Sequence, residues 1–290
     1  ITLLLNADPR EALEGTTALL ARTRSLVLHP AGDNACRALL DRSGTACRRQ
    51  GFGPGPEGPF PLPGAANAAN ARAAAAAAAE ILGGVAPGIG AWAGFPGLTG
   101  RRQTLHAADG FRILLDEADR PSRVGALLSD LRGEVSGRIL VVIEAPARAE
   151  PERWAGALAE AALVFLTGPG AAAVAADLGA SSNPVRRFQG RGDEVLSEVE
   201  RALLPGDQVV VLARGALAQN AVRWVARRWR WPGLARRMVE AAGTGLRVRL
   251  EEPLAEKTTL RVGGAARLYV EPSDEQELSA VLSVARSEGA

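Results

Sequence analysis

The sequence predicts an α/β protein with a doubly wound, Rossmann-like parallel sheet, and two observations lead to this fold class. Runs such as 138–143 (RILVVI) and 208–212 (QVVVL) are apolar at nearly every position, as strands buried on both faces require. Segments with helical spacing separate these runs, so strands and helices alternate along the chain.

Composition excludes several classes of protein. The 290 residues are 47% hydrophobic and carry a formal net charge of +2, which argues against a disordered chain and against a nucleic-acid partner. The two cysteines, Cys36 and Cys47, are too few for a disulfide scaffold and fit reduced thiols in a cytoplasmic protein rather than a metal pair. No apolar run of about 18 residues occurs, so no membrane span is predicted.

Residues 1–83 are expected to form the first domain. The pattern is a β-α-β-α unit followed by a Gly- and Pro-rich loop over 51–64 and an alanine-rich helix. The strands are predicted at 3–7 and 25–29, and the helices at 10–22, 33–40 and 65–82.

Residues 84–240 are expected to form the second domain, which contains the doubly wound sheet. Its strands are predicted at 112–116, 138–143, 163–166 and 208–212, and its helices at 121–131, 151–162 and 194–204. The segment 223–237 (RWVARRWRWPGLARR) has two interpretations. It is either a C-terminal helix with solvated arginines and a linker from Pro232-Gly233, or a surface for nucleic acid or an anionic membrane.

Residues 241–290 predict the start of a third domain. A strand is expected at 245–250, a hairpin over 258–270 that turns at Gly263-Gly264, and a last helix at 275–286. Ser273 and Asp274 are expected to cap this helix, with Glu277 completing a capping box. Because the chain begins at Ile1 rather than methionine and ends within this β-β-α unit, we expect it to be a piece of a longer protein.

Five short motifs follow one another between residues 1 and 230. They are 6–9 (NADP), 62–71 (LPGAANAANA), 95–102 (FPGLTGRR), 115–121 (LDEADRP) and 204–207 (LPGD). In this order they resemble the motifs of the Mur ligases, the ATP-dependent amide-forming enzymes of peptidoglycan precursor synthesis. The resemblance implies the end of a central ATP-binding domain followed by a C-terminal Rossmann-like domain, with ATP and Mg²⁺ as cofactors.

By this resemblance, four residues would hold the nucleotide. Asn67 and Asn70, three positions apart on a helix, would present amides to adenine, whereas Arg101 and Asp116 would border the ribose and phosphates. Arg148 is a possible substrate-side residue. Structural alternatives stay open: the asparagines as helix caps, Asp116 as a strand-end turn residue and Arg101 as a solvated side chain.

The chain also departs from the Mur ligase pattern. Positions where the family has His, Tyr and His are Ala66, Glu117 and Asp119, and its late Gly-Ala-Gly is Ala213-Arg214-Gly215. No Gly-x-x-x-x-Gly-Lys-[Ser/Thr] phosphate loop occurs in the 290 residues, and such a loop supplies the backbone N–H groups and the lysine that cradle the phosphates. We therefore expect no turnover from this chain by itself.

The tail carries a second resemblance. Segments 253–266 (PLAEKTTLRVGGAA) and 269–272 (YVEP) resemble the start of UDP-N-acetylmuramate dehydrogenase, a flavoenzyme of the same pathway. The fingerprint residues are Thr258, Thr259, Arg261, Gly263 and Gly264, although the two glycines also suit an ordinary turn. The resemblance implies FAD and NADPH, with hydride passing through FAD to an enolpyruvyl group.

Together the resemblances imply a fragment of a two-enzyme fusion that acts on UDP-sugars, with partner domains outside residues 1–290. In the ligase family, ATP phosphorylates a carboxylate of the UDP-sugar, and the amine of L-alanine attacks the acyl phosphate. The alternative hypothesis is a non-catalytic ligase relic that positions the reductase. A third hypothesis is nucleic-acid binding through the Arg/Trp segment.

Overall fold

The computed structural model describes residues 2–4, 14–53, 64–84, 92, 95, 97–147, 154–180 and 186–288. The chain divides into two compact units, Ile1–Gly97 and Leu98–Ala290. The finer division into domains at 1–83, 84–240 and 241–290 stays a prediction.

The first unit contains a three-stranded parallel sheet in the order β1-β2-β3. Its elements are β1 (Thr2–Leu3), α1 (Glu14–Arg22), β2 (Leu26–Pro30), α2 (Asn34–Ser43), β3 (Arg48–Phe52) and α3 (Ala65–Ile81). Asp33 caps α2, because its carboxylate accepts hydrogen bonds from the backbone N–H groups of Ala35 and Cys36. Burial, reinforced by the hydrogen bond and negative charge of Asp33, raises the pKa of the Cys36 thiol to about 12. Cys36 is therefore an inert core residue.

The second unit is built on a six-stranded sheet in the order β4-β5-β9-β6-β7-β8. Its strands are β4 (Gln103–Ala108), β5 (Phe111–Asp116), β6 (Ile139–Glu144), β7 (Leu163–Thr167), β8 (Arg186–Gln189) and β9 (Gln208–Leu212). All neighbours pair in parallel except β4, which is antiparallel to β5. β9, the last of these strands along the chain, therefore lies between β5 and β6. The predicted fold class, an α/β protein with a doubly wound parallel sheet, is confirmed.

Helices cover both faces of this sheet. They are α4 (Pro121–Arg132), α5 (Trp154–Ala157), α6 (Ala171–Ala180), α7 (Gly192–Ala202) and α8 (Gly215–Val225), whereas α9 (Trp231–Ala242) packs against the tail of the chain. Val210 and Leu212 of β9 pack in the core shared with α4, α5 and α6, whereas Val209 and Val211 pack in the core shared with α7 and α8. Alternation along a buried strand thus supplies two separate cores, which explains why β9 is apolar at every position after Gln208.

Among the described elements of the second unit, β4, α6 and β8 lack a counterpart among the sequence predictions, and α8 begins at Gly215 rather than near residue 223. The edge strand β4 (QTLHAA) is polar and half-exposed, and α6 is so rich in alanine that it shows no amphipathic period. The short strand β8 pairs at the other edge of the sheet. The described part of the helix predicted at 151–162 is helical over Trp154–Ala157.

The predicted linker at Pro232-Gly233 is wrong. α8 continues through a π-helical turn, Ala226–Arg230, directly into α9, and Pro232 lies in the first turn of α9. Proline has no backbone N–H to donate to the preceding turn, and the regular α-helical pattern is interrupted just before it by this π-helical turn. Trp224 and Trp229 pack edge to face with ring centroids 4.9 Å apart, in a cluster that includes Phe111. Packing therefore accounts for these two tryptophans of the Arg/Trp segment.

The tail is an antiparallel β-hairpin followed by a helix. β10 (Arg247–Pro253) pairs with β11 (Ala265–Glu271), and α10 spans Glu275–Ser287. The predicted turn at Gly263-Gly264 is wrong, because residues 254–264 form one long loop that begins with a short 3₁₀ turn. The observed register pairs Val248 with Val270, and both pack towards α9 and α10.

The predicted cap of the last helix is confirmed. Asp274 Oδ1 accepts a hydrogen bond from the backbone N–H of Glu277 at 2.8 Å, and the backbone N–H of Ser273 donates to Glu277 Oε2 at 2.7 Å. None of the helices in the described ranges combines the length and apolar character needed to cross a membrane.

Candidate functional site

A crevice of about 310 Å³ lies at the carboxyl edge of the six-stranded sheet. Parallel strands end at the same edge, so the segments that follow β5, β6 and β9 meet there. The crevice is lined by Glu117, Ala118, Asp119, Glu144, Ala145, Pro146, Pro169, Leu212, Ala213 and Arg214. This edge is where open α/β sheets bind their ligands.

One guanidinium group links two carboxylates in this crevice. Arg214 Nη1 lies 3.2 Å from Asp119 Oδ2, and Arg214 Nε lies 3.8 Å from Glu117 Oε2. Arg214 Nη2 also donates to the carbonyl oxygen of Glu117 at 3.2 Å. We call these three residues the Arg214 cluster. Because the Arg214 side chain is 52% exposed, its ion pairs are solvated and can rearrange around a ligand.

The crevice has more acceptors than donors. Glu144 accepts a hydrogen bond from the backbone N–H of Arg214 at 3.4 Å, so three carboxylates face a single guanidinium in the lining. The Oδ1 atom of Asp119 is buried and has no hydrogen-bond partner within the described residues. A buried acceptor without a partner suits a ligand that carries a hydrogen-bond donor.

Asp116, a predicted nucleotide contact, is the buried last residue of β5. Its Oδ2 accepts from the backbone N–H of Arg102 and its Oδ1 from the backbone N–H of Ala118, both at 2.8 Å. The carboxylate thus ties the 100–102 turn to the strand end. This geometry agrees with the strand-end alternative, and a contact with ribose stays a prediction.

The consecutive arginines at 101 and 102 have different environments. The Arg102 side chain is 10% exposed and donates to Glu134 Oε1 of the segment after α4 at 2.6 Å. Arg101 remains 45% exposed, with Nη2 3.6 Å from Glu117 Oε2. Arg101 therefore lies beside Glu117, a residue of the crevice lining, whereas Arg102 has a structural role that the sequence did not reveal.

Gly100 makes this arrangement possible. It adopts a φ of +71°, and a Cβ at this position would lie 2.7 Å from Glu117 Oε1. A glycine is required here because the turn needs a left-handed backbone and because Glu117 packs against it.

Asn67 and Asn70 lie on α3 in the first unit, away from its cap position. The helix begins at Ala65 and its N-cap is Gly64, which makes no side-chain cap hydrogen bond. The helix-cap alternative for the two asparagines is therefore wrong. The four predicted nucleotide contacts divide between the units, with the asparagines in one and Arg101 and Asp116 in the other.

The flavin-fingerprint residues lie in the 254–264 loop of the tail. Thr258 Oγ1 donates to the carbonyl of Val262 at 3.0 Å, and Arg261 adopts a φ of 51°. Gly263 has a φ of +138°, and a Cβ there would lie 3.1 Å from Leu254 Cβ. These contacts join residues at the two ends and in the middle of the loop to one another.

The remaining fingerprint residues are exposed: Thr259 and Gly264 line the outer surface of the same loop. Arg148 and the 6–9 motif lie outside the described residues. Within the described ranges, no group of three or more His, Cys, Asp or Glu side chains is placed to hold a metal ion.

Asp207, the aspartate of the 204–207 motif, stabilises the amino edge of the sheet, where its parallel strands begin. Arg138 donates to both carboxylate oxygens of Asp207, at 2.9 and 2.7 Å, and the backbone N–H of Leu204 donates to Oδ2 at 2.7 Å. These hydrogen bonds raise the pKa of the Arg138 guanidinium. Asp207 fixes the starts of β6 and β9 together.

Comparisons with known proteins agree with this architecture. A family model described as the Mur ligase, glutamate ligase domain matches residues 100–215, which include every residue of the crevice lining. The fold of this chain is Mur ligase-like. A search of curated protein sequences finds no match.

Similar solved structures include three bacterial ligases. The UDP-N-acetylmuramate–alanine ligase MurC of Thermotoga maritima is 18% identical, with a TM-score of 0.57 over 78% of this chain and 58% of that one. The murein peptide ligase Mpl of Psychrobacter arcticus is 14% identical, with a TM-score of 0.58 over 77% and 57%. Folylpolyglutamate synthase of Mycobacterium tuberculosis, complexed with ADP, is 16% identical, with a TM-score of 0.59 over 76% and 61%. At these identities the likeness concerns the fold, and the chain spans less than two thirds of each structure.

Proposed function

We propose that this chain contains the C-terminal part of an ATP-dependent acid–amino-acid ligase of peptidoglycan precursor synthesis, similar to UDP-N-acetylmuramate–L-alanine ligase. In this proposal it is joined to the start of UDP-N-acetylmuramate dehydrogenase. The observation that supports the ligase part best is the crevice at the carboxyl edge of the sheet, within the segment that the Mur ligase model matches. UDP-sugars are the proposed substrates, and the domains are 1–83, 84–240 and 241–290.

The residues at the crevice fit part of a nucleotide site. The exposed guanidinium of Arg101 can leave Glu117, 3.6 Å away, for a phosphate. Each oxygen of Asp116 accepts one backbone hydrogen bond and retains a lone pair for a ribose hydroxyl. Asn67 and Asn70 would contribute the adenine contacts. ATP, with Mg²⁺, supplies the phosphoryl group that activates a carboxylate.

One observation favours the alternative of a non-catalytic ligase relic. Glu117, Asp119 and Arg214 all replace residues of the family pattern, and both carboxylates pair with the guanidinium of Arg214 in the crevice. The departures thus form one mutually compensating cluster. In this alternative, the ion pairs of the Arg214 cluster take the place of contacts with a substrate. The ligase-like region would then position the neighbouring reductase and would catalyse no reaction.

The proposed flavin function concerns the tail alone. The 254–264 loop is held by its own hydrogen bonds and presents Thr259 outwards beside Leu260, which is 81% exposed. This loop would form one wall of an FAD site whose other walls lie outside residues 1–290. NADPH would supply the hydride to FAD in the parent enzyme.

A fluorescence titration with trinitrophenyl-ATP and Mg²⁺ tests the ligase proposal. We expect saturable but weak binding that Arg101→Met reduces about threefold to tenfold, since a single charge-assisted hydrogen bond is lost. Arg223→Met is the matched control, because Arg223 is also exposed but lies on α8 and contacts Gln219. An ADP-release assay with L-alanine and UDP-N-acetylmuramate should show no turnover.

Each outcome separates the hypotheses. Equal binding by the wild type and Arg101→Met, or no binding at all, removes the nucleotide site and leaves the relic. Alanine-dependent ADP release overturns the expected lack of turnover. Salt-sensitive binding of single-stranded DNA by the same protein would instead support the third hypothesis.

A further inference from the structure

The carboxylate of Glu117 is shared by two arginines. Its Oε2 atom lies 3.6 Å from Arg101 Nη2 and 3.8 Å from Arg214 Nε. The two arginine side chains are 45% and 52% exposed, so both guanidinium groups are accessible to a ligand. Two guanidinium groups that converge on one oxygen also suit a phosphate, because charge-assisted hydrogen bonds from arginine favour phosphate as much as carboxylate.

Contacts that do not depend on its charge hold Glu117 in place. Its backbone N–H donates to the carbonyl oxygen of Gly100 at 2.9 Å, and its own carbonyl oxygen accepts from Arg214 Nη2 at 3.2 Å. The side chain packs against Gly100, where a Cβ would lie 2.7 Å from Oε1. The negative charge of Glu117 therefore acts mainly on the two arginines rather than on the position of this segment.

Glu117 differs in this respect from the other carboxylates of the crevice. Asp119 lies 3.2 Å from Arg214, and Glu144 accepts from the backbone N–H of that residue. Among the described residues, Glu117 alone pairs with both arginines. A phosphate that approached Arg101 would meet this carboxylate at short range, where like charges repel and where the guanidinium is already engaged.

We propose that Glu117 is a specificity-determining residue of the proposed nucleotide site, an internal anion that competes with the ligand's phosphates for Arg101 and Arg214. This inference rests on the proposed function, because it takes Arg101 as a phosphate contact. A phosphate binds by drawing Arg101 away from Glu117, and the carboxylate then retains Arg214 as its partner. The competition lowers the affinity of this chain for anionic ligands.

Substitution of Glu117 by glutamine tests the competition, since it keeps the shape of the side chain and removes its charge. In a fluorescence titration with trinitrophenyl-ATP in EDTA, Glu117→Gln should bind about fivefold to twentyfold more tightly than the wild type. A gain in affinity does not arise from a damaged fold. The double variant Glu117→Gln/Arg101→Met should lose most of this gain, because the guanidinium that the substitution frees is then absent.

Chemical modification of arginine by phenylglyoxal tests the ion pair without any nucleotide. Peptide mass spectrometry should show Arg101 modified about twofold to fivefold faster in Glu117→Gln than in the wild type, the factor expected for an exposed ion pair. Glu160→Gln is the matched control, because Glu160 forms a partly exposed pair with Arg132 at 3.3 Å. It should change neither the nucleotide affinity nor the modification rate of Arg101.

The outcomes separate this inference from the proposed function. If Arg101→Met weakens binding but Glu117→Gln leaves it unchanged or weakens it, the competition is overturned and the nucleotide site stands. The same holds if Glu117→Gln loses affinity only when Mg²⁺ is present, since the carboxylate then binds the metal ion. If neither the wild type nor Glu117→Gln binds trinitrophenyl-ATP, the nucleotide site and the competition for it are overturned together.

Discussion

An arginine–carboxylate pair occurs at each of the two edges of the six-stranded sheet at which its parallel strands begin and end, the amino edge and the carboxyl edge. The two pairs have different roles. At the amino edge, Asp207 is 2% exposed and Arg138 binds it through two hydrogen bonds no longer than 2.9 Å. At the carboxyl edge, Arg214 is 52% exposed and lies 3.2 to 3.8 Å from its carboxylate partners. Burial decides the difference. The first pair stabilises the fold, whereas the second remains available to a ligand.

The largest effect is expected at the amino edge. Asp207→Ala leaves the guanidinium of Arg138 and the N–H of Leu204 without their acceptor, so the free energy of unfolding should fall by about 3 to 5 kcal/mol. Urea denaturation measures this loss. Glu198→Ala, which removes an exposed pair with Arg201, is the control and should cost below about 1 kcal/mol. A loss at Asp207 no greater than the control would contradict the assignment.

Gly168, at the carboxyl edge of the sheet, is expected to be sensitive to substitution. Gly168 has a φ of +86°, and a Cβ there would lie 2.8 Å from the carbonyl oxygen of Ala145. Gly168→Ala should therefore destabilise the fold by about 2 to 3 kcal/mol, through backbone strain and overpacking. The control Gly156→Ala meets no atom within 4 Å on α5 and should be neutral or stabilising. Equal thermal midpoints for both variants would refute this close approach.

Asp116 tests whether a residue at the carboxyl edge has a structural role. Asp116→Ala removes the acceptor of two backbone N–H groups, and the unfolding free energy should fall by about 2 kcal/mol. Asp116→Asn retains one acceptor oxygen and should recover part of the loss. If both variants unfold at the same urea concentration as the wild type, the carboxylate is held for a ligand rather than for the fold.

The smallest effect on stability is expected in the crevice. Arg214→Met removes solvated ion pairs and should cost less than about 1 kcal/mol. Arg138→Met is the matched substitution at the other edge and should cost about 3 kcal/mol or more, since it leaves Asp207 buried and unpaired. Chemical denaturation of both variants in one buffer gives the comparison. Equal losses would show that burial does not distinguish the two edges.

The strands in the centre of the sheet could be predicted from the sequence because burial on both faces demands uninterrupted apolar residues. β9, predicted at 208–212, has those bounds in the structure. Elements without that constraint could not be predicted: β4 lies at an edge, and α6 is too uniform in alanine to show a period. The hairpin turn was misplaced because Gly263 is needed where the loop packs on Leu254, rather than at a tight turn.

The candidate site could be predicted only in part. Asp116 and Arg101 were recognised from motifs, and both lie at the carboxyl edge. The Arg214 cluster could not be predicted, because its members are about a hundred residues apart and meet only through the insertion of β9 between β5 and β6. Residues on different strands are brought together by topology, which spacing in one sequence does not reveal.

Hydrogen–deuterium exchange of the chain with ADP and Mg²⁺ tests the central claim most directly, because it locates the ligand on one edge of the sheet. The account predicts slower exchange in 100–102, 116–119 and 212–215, around the crevice, and unchanged exchange in 202–208 at the amino edge. Protection confined to the amino edge, or none at ligand concentrations of several times the dissociation constant, would contradict the assignment of the crevice as the ligand site.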